Sequence, residues 1–192
     1  MVRLPKSLLT GSCLALVVAG LGPRMAAAAV KVHGLFTNNT VLQRGVKLPV
    51  WGTTDKLDKV TVKLAGQERS AEPVDGQWRV EFDPLTVGES LTMTISQGDA
   101  KLELTNLIVG DVWVCGGQSN MEWPISRTAG GSEAVAAATN DKLRLFTVPR
   151  RGNTTPETSV GGEWFPSNPQ SVANFSAVGY YFGRDLRQGR VG

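Results

Sequence analysis

Apolar and polar residues alternate with period two in several short stretches of the first half of the chain. Val60-Thr61-Val62-Lys63-Leu64, Leu91-Thr92-Met93-Thr94-Ile95 and Leu102-Glu103-Leu104 each send one set of side chains to an apolar face and the other to a polar face. An antiparallel sheet packed on one side requires this pattern. Stretches 32–36, 48–51 and 78–82 are of similar length, and all six are bounded by Gly, Asp, Pro or Asn. Asp75-Gly76 is a hairpin signal, because its glycine takes a positive φ at little steric cost. Short strands at close spacing predict an all-β sandwich domain over residues 30–107.

The texture changes at Ile108. Residues 108–115 form a nearly unbroken apolar run with one carboxylate, Asp111. That is the pattern of a strand buried on both faces, as in a parallel sheet. Gly116-Gly117 ends it. The alanine-rich stretch 132–139 predicts a helix, 143–148 a second strand stopped by Pro149, and 150–170, rich in Pro, Gly, Thr and Asn, a loop. Phe175, Val178, Phe182 and Leu186 then recur at helical spacing, with Asn174 or Ser176 placed to cap the start. Strand, helix, strand, loop, helix is the opening of an α/β domain over residues 108–192. Two candidate strands fall short of the roughly five in a doubly wound sheet. The reading therefore expects an incomplete second domain, with polypeptide continuing past Gly192.

The first 29 residues change the account of charge and destination. Arg3 and Lys6 precede an apolar stretch at 8–21, and Met25-Ala26-Ala27-Ala28-Ala29 offers small residues for cleavage near Ala29. This order predicts a secretory signal peptide over 1–29 and a secreted or periplasmic protein. An uncleaved anchor is the weaker alternative, since the apolar stretch is shorter than the about 18–20 residues of a spanning helix and Pro23-Arg24 interrupts it. No later segment suits a membrane span. The whole chain has 20 basic and 17 acidic residues, and losing Arg3, Lys6 and Arg24 leaves 17 of each. The sequence pI near 9.0 thus belongs partly to the targeting segment. With no basic run or basic–aromatic stripe, nucleic acid is not an expected partner. A composition 41% hydrophobic and 19% charged is that of a globular protein. Cys13 leaves with the signal and Cys115 then stands alone, so neither an intrachain disulfide nor a metal site is expected, and no cofactor. Cys115 reads as a small buried hydrophobe. The pattern carries no signal for oligomeric state.

Candidate chemistry lies directly after the apolar run, in Gly116-Gly117-Gln118-Ser119-Asn120-Met121. A serine at a sharp strand-to-helix turn has an exposed hydroxyl at the carboxyl edge of a sheet, and flanking glycines let a substrate come close. Its amide is a possible oxyanion donor. The spacing is not the Gly-x-Ser-x-Gly elbow, so an ordinary loop of turn formers stays open on spacing alone.

The block Gly110-Asp111-Val112-Trp113-Val114-Cys115-Gly116-Gly117-Gln118-Ser119-Asn120-Met121-Glu122-Trp123-Pro124 resembles the nucleophile block of the sialate O-acetylesterase family. Val32-His33-Gly34-Leu35-Phe36, Val41-Leu42-Gln43-Arg44 and Pro49-Val50-Trp51-Gly52 resemble the opening of the same family's β-domain. Phe175-Ser176-Ala177-Val178-Gly179-Tyr180-Tyr181-Phe182-Gly183-Arg184 is similar to a later helix. The resemblance implies a flavodoxin-like α/β/α domain of the SGNH hydrolase type, of which 108–192 is the first part. It also implies Ser119 as nucleophile toward acetylated sugars, through an acetyl-enzyme, with Gly117, Gln118 and Asn120 supporting the turn. The remaining oxyanion donors and the histidine base are implied to lie later in such chains.

The chain contains one histidine, His33, in the first strand region and before Ser119. It reads as a strand histidine, and a serine without a base is a weak nucleophile at neutral pH. The 192 residues alone are therefore expected to have little or no esterase activity. Asp111 reads as capping or pairing locally. Glu122 and Trp123 are equally open to lining an acyl pocket or to helix-start charge and packing, and Gln118 and Asn120 are expected to brace the turn. Sequons occur at Asn38, Asn153 and Asn174. The alternative function is a non-catalytic carbohydrate-binding or structural β-module, for which Trp51 and Trp78 offer sugar-stacking rings, although packing of the sandwich is the plainer reading of both.

Overall fold

The structure is a computed structural model that describes residues 30–189; the expected signal peptide at 1–29 lies outside the described residues. The first region forms β1 (Lys31–Val32), β2 (Val41–Gln43), β3 (Leu48–Thr53), β4 (Val60–Leu64), β5 (Gln67–Ala71), β6 (Gln77–Phe82), β7 (Gly88–Gln97) and β8 (Ala100–Gly110). The strand expected at 32–36 does not form: only Val32 is in β1, and the chain turns at once, Phe36 N donating to His33 O (2.9 Å), so His33 lies just outside the strand. The eight strands form a three-stranded sheet in the order β1-β3-β6 and a five-stranded sheet in the order β2-β8-β7-β4-β5. Alternation fixes the facing. On β6, Trp78, Val80 and Phe82 are buried and the residues between them are exposed. Val60, Val62 and Leu64 do the same on β4. Val50, Trp78, Val80 and Phe82 from one sheet share a single apolar cluster with Leu42, Val60, Val62, Met93, Ile95 and Leu107 from the other. Each side chain buried this fully contributes roughly 1.5–3 kcal/mol, so this shared core dominates the stability of the region.

Local chemistry sets the reversals. Asp75 (φ 49°) and Gly76 (φ 73°) form the hairpin turn that their dipeptide signals, closed by reciprocal Val74–Gln77 hydrogen bonds of 2.8 and 2.9 Å. Ala65 and Gly66 turn in the same way between β4 and β5. The sequence pattern misses β5, whose Gln-Glu-Arg-Ser-Ala has no apolar alternation; the tight turn before it and the free edge of β4 place it.

Three further sequence expectations change. The sheets are mixed and not purely antiparallel, because β2 runs parallel to β8, pairing Val41, Leu42 and Gln43 with Ile108, Val109 and Gly110. The expected strand at 108–115 is instead the end of β8, which starts at Ala100, crosses Leu107–Ile108 without a break and stops at Gly110. It stops because its neighbour leaves: Arg44 N donates to Gly110 O (2.9 Å), and Gly45 (φ 72°) then turns β2 away toward Leu85 O. The expected strand at 143–148 forms as β9 (Asn140–Phe146), but its partner is β10 (Trp164–Ser167), and the pair is antiparallel. β10 and the short helix α2 (Pro169–Val172) both fall at the end of, or just past, a stretch that reads as loop, 150–170.

The remaining helices are α1 (Gly131–Ala136), overlapping the expected stretch but shorter, and α3 (Ala177–Gly189), as the helical spacing predicts. Ile125, Ala138, Leu145, Val172, Ala177 and Tyr180 form a second, smaller apolar cluster. The β9–β10 hairpin is tied to the first region by polar contacts. Trp164 Nε1 donates to Leu35 O (2.9 Å), Trp164 N to Thr37 Oγ1 (3.2 Å), and Asn39 Nδ2 to Trp164 O (3.1 Å). No helix among the described residues is long and apolar enough to cross a membrane.

Candidate functional site

After Gly110 the chain runs through residues 111–118 outside any strand, then enters a 3-10 turn at Ser119–Glu122. The expected strand-to-helix elbow is thus an irregular segment feeding a single tight turn. Main-chain bonds close it: Met121 N donates to Gln118 O (2.9 Å) and Trp123 N to Asn120 O (3.3 Å). Gln118 gives no side-chain cap, so the bracing expected of it comes from its carbonyl. Gly117 eases a close approach, since a Cβ there would sit 3.3 Å from that of Met121 and the turn would have to give slightly. Neither Gly116 nor Gly117 has a positive φ.

The turn is anchored from the other side by the start of α3. Ser176 Oγ donates to Met121 Sδ (3.2 Å) and accepts from Gly179 N (3.2 Å). Ala177 N donates to Trp123 O (2.9 Å), Ile125 N to Phe175 O (3.2 Å), and Ile125 is fully buried beneath. Ser176, one of the two residues expected to cap α3, therefore both caps the helix and holds the serine turn. Sequence reading misses this second role, because Met121 lies 55 residues away and no local pattern links the two.

Ser119 is exposed, and so are Gly117, Gln118 and Asn120. Among the described residues Ser119 Oγ has no hydrogen-bond partner, and its amide has no main-chain acceptor. The first amides of a turn lack internal acceptors, so this one is free to donate to an oxyanion. Glu122 is engaged by Arg150 (2.9 Å) and Trp123 Nε1 donates to Arg127 O (3.2 Å), so both are held by neighbours at the surface. Asp111 pairs with Arg44 (2.9 Å), which fixes the exit from β8. Cys115, expected to be buried, is exposed because the strand that would bury it ends at Gly110.

His33 belongs to the first region. Its ring lies 4.8 Å from that of Trp51, and its Nδ1 accepts from Leu35 N (3.3 Å). Burial lowers its pKa from the ordinary value, opposed by a hydrogen bond with the Thr158 backbone. None of these partners is in the serine turn. Among the described residues His33 thus has no hydrogen bond or ring contact with the serine turn. No group of three or more His, Cys, Asp or Glu side chains able to hold a metal occurs among them either.

The tryptophans expected to stack on sugars in the alternative reading are occupied. Trp78 is 2% exposed and its Nε1 donates to Lys31 O (3.2 Å). Trp51 has His33 and Phe36 against it. Both nevertheless line a groove of about 540 Å³, together with Glu72, Asp75, Gln77 and Arg79, and another of about 430 Å³ lies beside the β9–β10 pair. Neither includes Ser119.

No family model matches the chain. The chain is 30% identical to a sialate O-acetylesterase of Rattus norvegicus, over 72% of this chain and 28% of that protein. It is 27% identical to the Homo sapiens sialate O-acetylesterase, over 88% of this chain and 35% of that protein. Its fold matches the crystal structure of a carbohydrate acetylesterase from Xanthomonas citri with a TM-score of 0.81 at 34% identity, over 84% of this chain and 38% of that one. The chain thus spans about a third of the length of these relatives. On these similarities in sequence and fold together, the chain belongs to a sialate O-acetylesterase-like family.

Proposed function

We propose that the chain carries the nucleophile of a serine carbohydrate esterase that removes O-acetyl groups from sialic acid or another acetylated sugar. One observation carries this reading: Ser119 stands exposed at the head of a tight turn, with its own amide unpaired beside it. The Ser119 oxygen attacks the acetyl carbonyl carbon, the Ser119 amide donates to the oxyanion, and the sugar oxygen leaves. Water then breaks the acetyl-enzyme and releases acetate. Gly117, Gln118 and Asn120 support the reaction by holding the turn. Two units, 30–107 and 108–192, divide the work, the first as scaffold and the second as the site. The N-terminal 29 residues direct the protein to a secreted or periplasmic location.

The serine proton needs an acceptor, and His33 is engaged in the first region. The 192-residue chain by itself is therefore a poor catalyst. Oxyanion donors and substrate positioning without an activating base leave only residual catalysis. The non-catalytic reading with Trp51 and Trp78 as a sugar platform is the weaker one, because the ring of Trp78 is buried and that of Trp51 is packed against two neighbours.

The test joins this chain to the part of the Xanthomonas citri acetylesterase outside the matched region and measures hydrolysis of an aryl acetate. The fusion is expected to hydrolyse it, the chain alone to stay at background, and Ser119→Ala in the fusion to lose about a thousandfold or more. Activity in the fusion that survives Ser119→Ala sinks the assignment of Ser119.

A further inference from the structure

The groove beside the β9–β10 pair sets an open aromatic ring among polar groups that the fold leaves unused. Phe165 on β10 stands directly opposite Leu145 on β9, so both project from one face of the pair. Leu145 is buried in the smaller apolar cluster, whereas Phe165 is 48% exposed. Gly162 (φ 117°) lets the chain close onto the end of β9, since a Cβ there would lie 2.8 Å from Thr147 O. Glu163 follows it into the groove lining. On the other side, the Asn168 cap of α2 is engaged in its own turn. Its Oδ1 accepts from Gln170 N and Ser171 N, both at 2.9 Å, and Ser171 Oγ donates to Pro166 O (2.7 Å). That wall is therefore fixed before any ligand arrives. Glu163, Gln170 and Asn174 also line the groove and are exposed, and among the described residues their side chains have no hydrogen bond or ion pair.

This lining selects a chemistry. Each carboxamide holds two N–H donors and an acceptor in one plane. Such groups suit a ligand rich in neutral hydroxyls, and an aromatic ring covers an apolar C–H face. A sugar ring carries both. The formal charge on the lining is that of Glu163, and no Lys, Arg or His is among the lining residues. A carboxylate-bearing sugar would meet an unopposed like charge. The groove also shares a support with the serine turn. Asn174 and Phe175 lead directly into Ser176, whose Oγ donates to Met121 Sδ, and Phe175 O accepts from Ile125 N. A ligand in the groove is thus held by the same segment that anchors the turn of Ser119.

We propose that this groove binds a neutral sugar residue. Phe165 is the stacking ring, Gln170 and Asn174 read the hydroxyls, and Glu163 disfavours sugars that carry a carboxylate. The groove's part in holding the sugar whose ester Ser119 opens rests on the esterase reading given above, but the binding itself does not.

The test titrates the Ser119→Ala chain with cellotetraose, mannotetraose and N-acetylneuraminic acid. It follows the side-chain amide NMR signals of Gln170 and Asn174, with Gln77 in the other groove as a control. At least one of the two neutral sugars is expected to shift the first two signals to saturation and to leave Gln77 unmoved. Phe165→Ala, at an exposed position, is expected to weaken binding about tenfold. N-acetylneuraminic acid is expected to bind at least about fivefold more weakly, and Glu163→Gln to narrow that gap. The proposal is overturned if neither neutral sugar gives a saturable shift, if Gln77 responds in place of Gln170 and Asn174, if Phe165→Ala binds as well as the parent, or if N-acetylneuraminic acid binds equally well. Binding that disappears in the fusion also overturns it, since the added polypeptide then covers the groove. Sugar binding without Ser119-dependent hydrolysis by the fusion removes the role of Ser119 and keeps the groove. Hydrolysis without binding does the reverse.

Discussion

The two regions of this molecule contain similar apolar sequences and bury them to different extents. In the first, seventeen buried apolar side chains among the described residues, most of them from two sheets, close on one another. In the second, six do so, while Trp113, Val114, Trp123, Phe165, Val178 and Phe182 remain exposed. Residues 108–115 are more uniformly apolar than any strand of the first region, yet only the part paired with β2 is buried. Burial follows from having a partner surface, and hydrophobicity alone does not supply one. The first region is therefore expected to be the stable unit and the second the dependent one.

Trp78→Ala strikes hardest at that contrast. Emptying the site of a 2%-exposed indole and removing its bond to the Lys31 carbonyl should cost about 3–5 kcal/mol in urea unfolding, and both regions should lose protection together. If only the first region loosens, the second does not depend on it. Ile125→Ala removes the centre of the small cluster and should cost about 2–5 kcal/mol locally. Here amide exchange should quicken over 125–180 and leave β3, β4 and β6 unchanged.

A smaller effect tests the junction. Asn39 (φ 66°) donates to Trp164 O and accepts from Asn106 and Arg144. Asn39→Gly keeps that backbone conformation accessible and removes the contacts, so a loss of about 1–2 kcal/mol is expected. It should appear as earlier exchange of β9 and β10 than of the first region. The smallest effect is in pH. Because burial lowers the pKa of His33, the unfolded chain binds its proton more readily. Stability is complete above the ordinary histidine value of about 6.5 and declines slightly as pH falls through it. His33→Gln should flatten that part of the unfolding midpoint against pH, and an unchanged slope would assign it to other groups.

Legibility in the sequence follows the same division. β4, β6 and the Asp75-Gly76 turn are readable because each is decided locally: alternation sets the buried face and a glycine sets the turn. β5 and β2 are not, since a polar five-residue edge and a three-residue parallel pairing gain their order from neighbouring strands. The run at 108–115 has the composition of a buried strand, but where a strand ends depends on its ladder, and the ladder ends with Gly110. Asn168-Pro169 does advertise α2. An asparagine cap, accepting from Gln170 N and Ser171 N at 2.9 Å, followed by proline in the first turn is a helix start inside what otherwise reads as loop. Ser119 is legible only as part of a long block. Its exposure is visible in the structure, and the anchoring of its turn through Met121 to Ser176, 55 residues further along, cannot be seen from spacing.

The parallel pairing of β2 with the end of β8 also sets an order of events. Val41 finds Ile108 only across a long stretch of intervening chain, and the loop-closure entropy of such a contact is met late in folding. β2 is made early on the ribosome and must wait, unpaired, until the chain has emerged past Gly110. The last stitch of the first region is thus tied by residues 108–110, where the chain leaves the sheet on its way to the serine turn. A nascent chain halted before that point would hold hairpins without their closing strap, and it would be open to proteases along residues 37–45.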